Sequence, residues 1–213
     1  MFDKKYYIFD GGLGTMLQEN GLEAGACPEE MNTRNPDAVF KVHKLYADSG
    51  ADFLTTNSFG GNRFKLEEYG LGEKVKEFNI KAAQIAKKAA GKDCFVAGSV
   101  GPTGRFLQPL GDMYFEEAYE VFKEQIEALA EGGADCIIFE TFNDLGELRA
   151  GVIAAKEATK LPIIASLTYE KQKTLTGVSP ESAAIILEAL GVYCIGANCS
   201  GGPTELFEVL KKY

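Results

Sequence analysis

No basic cluster occurs anywhere in this 213-residue chain, which carries a net charge of −9 and a pI near 4.8. That balance argues against nucleic acid as a partner. No apolar run approaches the length of a membrane span, so no membrane partner is expected. The first residues, Met-Phe-Asp-Lys-Lys-Tyr-Tyr-Ile, lack the apolar segment of a signal peptide. No Gly-x-Gly-x-x-Gly follows the first apolar run. Gly11-Gly12-Leu13-Gly14-Thr15 is glycine-rich but wrongly spaced for a dinucleotide. No two cysteines are adjacent. Five cysteines are an odd set in a chain too long to need a disulfide scaffold, so reduced thiols in the cytoplasm are expected. Histidine occurs once, as His43. It sits early in a helical stretch, on or near its apolar stripe, where a packed or capping role is expected.

What is present is a 46% hydrophobic chain with no low-complexity linker, enough for one domain with a core. Apolar runs fall at about 6–10, 52–57, 94–100, 135–141, 161–168 and 192–199. Helical periodicity marks 36–49, 73–90, 113–131, 145–159, 180–190 and 203–212. Pro36, Pro180 and Pro203 stand near helix starts. Gly50, Gly91, Gly132 and Gly191 stand at helix ends, as left-handed caps do. Two junctions nearly repeat, Ser49-Gly50-Ala51-Asp52 and Gly132-Gly133-Ala134-Asp135; each closes a helix and opens a strand. Runs such as Cys136-Ile-Ile-Phe139 are apolar on both faces, as in parallel strands under helices. The expected fold is α/β, a TIM-type barrel, with an open doubly wound sheet as the lesser alternative.

A full barrel needs eight units and about 250 residues; only six units are expected here, a truncated barrel. A fragment of a longer protein, a partner supplying the last units, and an adapted fold all account for that; the first is favoured.

Most strand-like runs end in polar residues, as at a barrel's active-site rim: Asp10, Asn57, Ser99, Glu140, Thr168, Asn198 and Cys199. Asp10 and Glu140 could clamp an ammonium or act as an acid/base pair, or merely accept loop N–H bonds. The loop of Gly11, Gly12 and Gly14 offers backbone donors for a carboxylate. Together these suggest an amino-acid substrate, with Asn57, Ser99, Thr168 and Asn198 as neutral partners. The segment Gly101-Pro-Thr-Gly104 through Leu107-Gln-Pro-Leu-Gly111 reads as a lid or wall. Cys199 at the mouth is either a reactive thiol or a space-filling one. If it faces the axis, alternation puts Ile195 and Ala197 there too and turns Cys194 toward the helices. Cys136 lies about 13 Å below Glu140 on one face, Cys94 opens its strand at the far end, and Cys27 lies in the long first loop. A catalytic zinc takes three protein ligands, and these residues offer one candidate, Cys199.

The ordered set Phe9-Asp-Gly-Gly-Leu-Gly-Thr15, Glu30-Met-Asn32, the stretch His43 to Asp52, Thr55-Thr-Asn-Ser-Phe-Gly60, Gly98-Ser-Val-Gly-Pro-Thr103, Phe139-Glu-Thr-Phe142 and Gly196-Ala-Asn-Cys199 resembles the homocysteine S-methyltransferase family. Within it, the set is most similar to the N-terminal homocysteine-binding barrel of the cobalamin-dependent methionine synthases. The resemblance implies L-homocysteine as methyl acceptor and a zinc held by three cysteines, the first being Cys199. It implies the other two in a Gly-Gly-Cys-Cys-Gly motif, which these residues lack; the zinc site is incomplete, and weak zinc binding is expected of this chain alone. It places Asp10 and Glu140 in the homocysteine region, gives Gly11, Gly12 and Gly14 backbone roles, and puts Asn57 and Asn198 on the rim. It implies methylcobalamin as methyl carrier on another domain or protein, with a folate upstream. Two other readings stand beside it: an inactive or partner-dependent barrel fragment that only binds, and a metal-independent barrel enzyme using Asp10 and Glu140.

Overall fold

A computed structural model of the chain describes residues 4–213; the first three residues, part of the N-terminal stretch that lacks a signal-like segment, lie outside the described residues. The elements in order are α1 (Leu13–Glu19), α2 (Met31–Arg34), α3 (Pro36–Asp48), β1 (Phe53–Thr55), α4 (Arg63–Glu67), α5 (Val75–Ala90), β2 (Phe95–Val100), α6 (Phe115–Glu131), β3 (Cys136–Phe142), α7 (Leu145–Ala158), β4 (Ile163–Leu167), α8 (Pro180–Ala189), β5 (Cys194–Ala197) and α9 (Pro203–Leu210). The strands form one parallel sheet in the order β1-β2-β3-β4-β5. A doubly wound sheet reverses its strand order at a switch point. Here spatial order equals chain order, with a helix after each strand, so the sheet is an arc of a TIM-type β/α barrel.

The first apolar run does not become a strand of its own. It contributes a single parallel bridge, Phe9 to Phe53, supported by Asp10 N–H to the Phe53 carbonyl at 3.0 Å and Asp52 N–H to the Ile8 carbonyl at 2.7 Å. The arc is therefore five strands and one bridged segment.

Side-chain alternation splits the core in two. Phe53, Ala97 and Cys136 pack on the concave side with Tyr7, Phe9, Phe95, Ile138 and Ile164. Phe9 stacks on Phe53 with ring centroids 4.5 Å apart. On the convex side, Phe139, Phe142, Leu167 and Ile137 meet Phe122, Ile126 and Leu129 of α6 and Leu148 and Val152 of α7. Each such side chain, fully buried, contributes about 2 kcal/mol.

The repeated junctions prove to be one device used twice. Asp52 accepts the Ile8 N–H at 2.8 Å and pairs with Lys4. Asp135 accepts the Val96 N–H at 2.8 Å and pairs with Lys87. In both, the carboxylate that opens a strand binds an amide of the segment before it. The glycine caps differ from expectation at one place. Gly50, Gly91 and Gly191 have positive φ, but at the end of α6 it is Gly133, with φ 99°, that turns left-handed. Gly132 keeps a right-handed φ of −72°. Its bare Cα serves close approach instead, since a Cβ there would lie 2.7 Å from the Ala83 Cβ and the Ile80 carbonyl of α5.

Candidate active site at the mouth of the arc

The C-terminal ends of the strands enclose a cleft of about 660 Å³. Its lining includes Asp10, Gly11, Gly12, Gly14, Glu29, Asn57, Ser99, Glu140, Asn198 and Cys199, and no lysine, arginine or histidine. Three acidic residues thus line one space, and among the described residues no cationic side chain joins them in that lining.

Asp10 receives both of its hydrogen bonds from Thr55, at Oδ2 from the backbone N–H (2.8 Å) and at Oδ1 from the hydroxyl (2.9 Å). Burial nonetheless pushes its carboxyl up to about 6, and the charge of Glu140 adds to the rise. Glu140 Oε1 accepts the Ser99 hydroxyl at 2.5 Å; burial raises this carboxyl too. Desolvated carboxyls that sense each other in a cleft are a mark of functional sites. Glu29, which sequence reasoning missed, is 4% exposed. Its Oε1 takes the Gly60 N–H at 2.7 Å and its Oε2 the Cys27 thiol at 3.3 Å. Burial raises it as well. Its place beside Glu30-Met-Asn32 was the available signal.

The end of β3 is irregular. Phe139 pairs with Ala165 and Phe142 with Leu167, so β3 has one residue more than β4 over this stretch. That β-bulge lets Glu140 and Thr141 both line the cleft while Phe139 and Phe142 both enter the convex core. Thr141 has φ 65°, a costly value for a β-branched residue.

The alternation expected for β5 is overturned. Gly196, paired with Ser166, and Asn198 are the residues of concave parity, and Ile195 and Ala197 pack against the convex core. Cys194 shares the concave parity and is exposed. Cys199 still reaches the cleft, because the strand has ended and the backbone turns left-handed there, with φ 47°.

Other expected residues divide. Asn57 lines the cleft, but its amide is occupied by the Pro28 carbonyl (2.7 Å) and Asn32 Oδ1 (3.0 Å). Residues 11, 12 and 14 sit at the start of α1, where Gly12 is the N-cap. Thr168 is not in the main cleft; it lines a smaller pocket beyond Cys199 and donates to Asn143 Oδ1 and the Phe142 carbonyl. No residue of the 101–111 segment lines the cleft. That segment is pinned away from it, with Glu147 Oε1 accepting the Thr103 N–H (2.7 Å) and hydroxyl (2.6 Å). Cys27 packs with Leu66, Val75 and Phe78 rather than at the mouth. His43 is packed, at 0% exposure, with neither ring nitrogen hydrogen-bonded. Among the described residues no group of three His, Cys, Asp or Glu side chains could hold a metal ion. A catalytic zinc needs three, so the residues present, with Cys199 alone at the mouth, do not make up that site.

The arc and its cleft define a β/α-barrel protein with an acidic mouth. The chain belongs to the homocysteine S-methyltransferase family, which it matches over residues 7–213. It is 32% identical to the methionine synthase of Mycobacterium leprae (strain TN) over 98% of this chain and 19% of that protein. It is equally similar, over 99% of this chain, to the methionine synthase of Mycobacterium tuberculosis (strain ATCC 25618 / H37Rv), again 19% of its length. The chain thus spans about a fifth of these relatives. Among solved structures it resembles the homocysteine methyltransferase MmuM from Escherichia coli, metallated form. That match has a TM-score of 0.81 at 25% identity and covers 92% of this chain and 75% of that one. The oxidized form gives a TM-score of 0.82 at 23% identity, over 92% and 74% of the two chains, a likeness of fold. Among the described residues no helix is long and apolar enough to cross a membrane.

Proposed function

We propose that residues 1–213 form the homocysteine-binding domain of a cytoplasmic methyltransferase of the methionine synthase type, transferring a methyl group to the thiol of L-homocysteine. The observation that carries this reading is the acidity of the cleft: Asp10 and Glu140, both desolvated, with no basic residue among the described residues of the lining. An ammonium between Asp10 and Glu140 relieves both carboxylates of desolvation and of each other. The first turn at residues 11–14 offers backbone N–H groups to the substrate carboxylate. Both ends fixed, the thiol extends toward Cys199, and a held substrate replaces a bimolecular encounter with a positioned one. These residues account for holding the amino acid. They do not account for removing its thiol proton, which the family resemblance assigns to a zinc for which this chain supplies only Cys199. The same resemblance supports methylcobalamin as the methyl carrier on another module, loaded from a folate.

Calorimetric titration of the chain tests the binding step. L-Homocysteine is expected to bind, 4-mercaptobutyrate (the same chain without the amino group) to bind at least tenfold more weakly, and Glu140→Gln to lose most of that difference. No preference for the amino group would discard the reading. An activity that survives chelation yet vanishes in Glu140→Gln would replace it with metal-independent acid/base chemistry.

A further inference from the structure

The sequence places Asn198 among residues that touch the substrate. Its hydrogen bonds point elsewhere. A primary amide has two acceptor sites and two donor hydrogens. Asn198 Oδ1 accepts the Thr141 N–H at 3.0 Å and the Ser166 hydroxyl at 2.7 Å. Its Nδ2 donates to Thr141 Oγ1 at 2.8 Å and reaches Cys199 Sγ at 3.4 Å. All four positions are taken, by three different strand ends, and none remains for a ligand.

The largest share goes to the bulge. A bulge leaves the extra residue without its ladder partner, and a buried unpaired N–H is costly. Thr141 is that residue, with its backbone in the left-handed region. Asn198 meets it at both the N–H and the hydroxyl, which compensates for the strained turn. Glu140 is the residue just before, and its bearing depends on that turn. On its other side the same amide contacts the thiol of Cys199, the second left-handed residue at the mouth.

We infer that Asn198 is a positioning residue, not a substrate contact: its amide fills the β3 bulge and thereby fixes the directions of Glu140 and Cys199. This deepens the reading of the cleft as an amino-acid site and rests on it for the ligand.

Two measurements on the full chain separate the proposal from that reading. The first needs no ligand. Alkylation of Cys199 by iodoacetamide at a single pH is followed site by site by mass spectrometry, with Cys194 as internal reference. Asn198→Ala and Asn198→Asp are each expected to change the Cys199 rate at least threefold and leave Cys194 unchanged. An unchanged Cys199 rate in both variants would overturn the proposal, whether or not homocysteine binds. The second is a binding cycle. Asn198→Ala is expected to weaken L-homocysteine about tenfold, to weaken its des-carboxy analogue by the same factor, and to weaken the des-amino analogue, which makes no use of Glu140, by less. Adding Thr141→Gly, which tolerates positive φ unaided, is expected to restore at least half of the loss on a logarithmic scale. A penalty that disappears with the des-carboxy analogue, together with no rescue by glycine, identifies a direct contact and refutes the positioning role. If wild type binds no amino acid while Asn198→Ala still alters Cys199, the functional reading fails and the bracing role stands.

Discussion

Thr55 donates twice to Asp10, from its backbone N–H at 2.8 Å and its hydroxyl at 2.9 Å, and the two bonds fix the carboxylate at the floor of the mouth. They do not offset its desolvation, since the carboxyl stands at about 6 against a reference of 3.8. A raised folded value means that the native state holds its proton longer than the unfolded chain. The stability that Asp10 contributes is then fully present below pH 3.8 and is lost as pH rises through about 6. The shift corresponds to about 3 kcal/mol at neutral pH. Asp10→Asn, whose amide can still pair with Thr55, is expected to raise the denaturation midpoint of the unliganded chain at pH 8, to leave it nearly unchanged at pH 4, and to weaken amino-acid binding. Urea unfolding at the two pH values measures the first two effects.

His43 works in the opposite direction. Burial lowers its imidazole to about 4 from 6.5, so the unfolded chain takes up a proton that the native state refuses. The stability that depends on neutral His43 is complete above pH 6.5 and falls as pH drops from there toward 4. His43→Leu removes two unpartnered ring nitrogens, each a desolvated group costing about 1–3 kcal/mol. The variant is expected to lose less stability than wild type between pH 7 and pH 5, read from chemical denaturation at each value.

Glu147 holds Thr103 through two bonds to one oxygen, and burial pushes its carboxyl from 4.5 up to about 7. Its stability contribution is lost as pH rises from 4.5 through 7. Glu147→Gln keeps an acceptor for Thr103 and is expected to be about 1–2 kcal/mol more stable than wild type at pH 8. Glu147→Leu strands the Thr103 N–H and is expected to be less stable by about 1–3 kcal/mol. Thermal unfolding at pH 8 ranks the three proteins.

Gly151 lies where α7 crosses β3. A Cβ there would sit 2.6 Å from the ring of Phe139, which is fully buried among Phe122, Phe142 and Leu148. The ring is itself held edge-on between Phe122 and Phe142. Gly151→Ala is expected to cost about 1–3 kcal/mol through overpacking, despite alanine's better helix propensity. Urea unfolding reads the loss, and Gly151→Ala combined with Phe139→Leu recovers part of it.

The barrel class was legible because its units repeat. Pro36, Pro180 and Pro203 all prove to be the first residue of a helix, and the six long helices appear within a few residues of their expected bounds. Short elements were not legible. α1, α2 and α4 have four to seven residues each, too few for a helical period to show. In the cleft, Asp10, Glu140, Asn57, Ser99 and Cys199 fell where strand ends placed them. The error in β5 has a local cause. Strict alternation from Ile195 to Cys199 assumed that β5 continues, and that assumption fails where Cys199 turns left-handed; single-sequence periodicity carries no sign of it, nor of the bulge in β3. The same blindness hid Thr141 and Ser166, whose roles come from partners on other strands. Thr168 was misplaced because its hydroxyl is drawn to Asn143 and Phe142, on the β3 side of the smaller pocket.

Asp52 and Asp135 have a consequence for how damage spreads. Each carboxylate is encoded in one unit but spends its bond on the amide of the unit before it, Ile8 or Val96. Losing either aspartate therefore unfastens a neighbour rather than its own strand. Inheritance of the fold is overlapping, like roof tiles, and an early segment such as 6–10, too short to stand as a strand, is kept in place by a residue more than forty positions downstream.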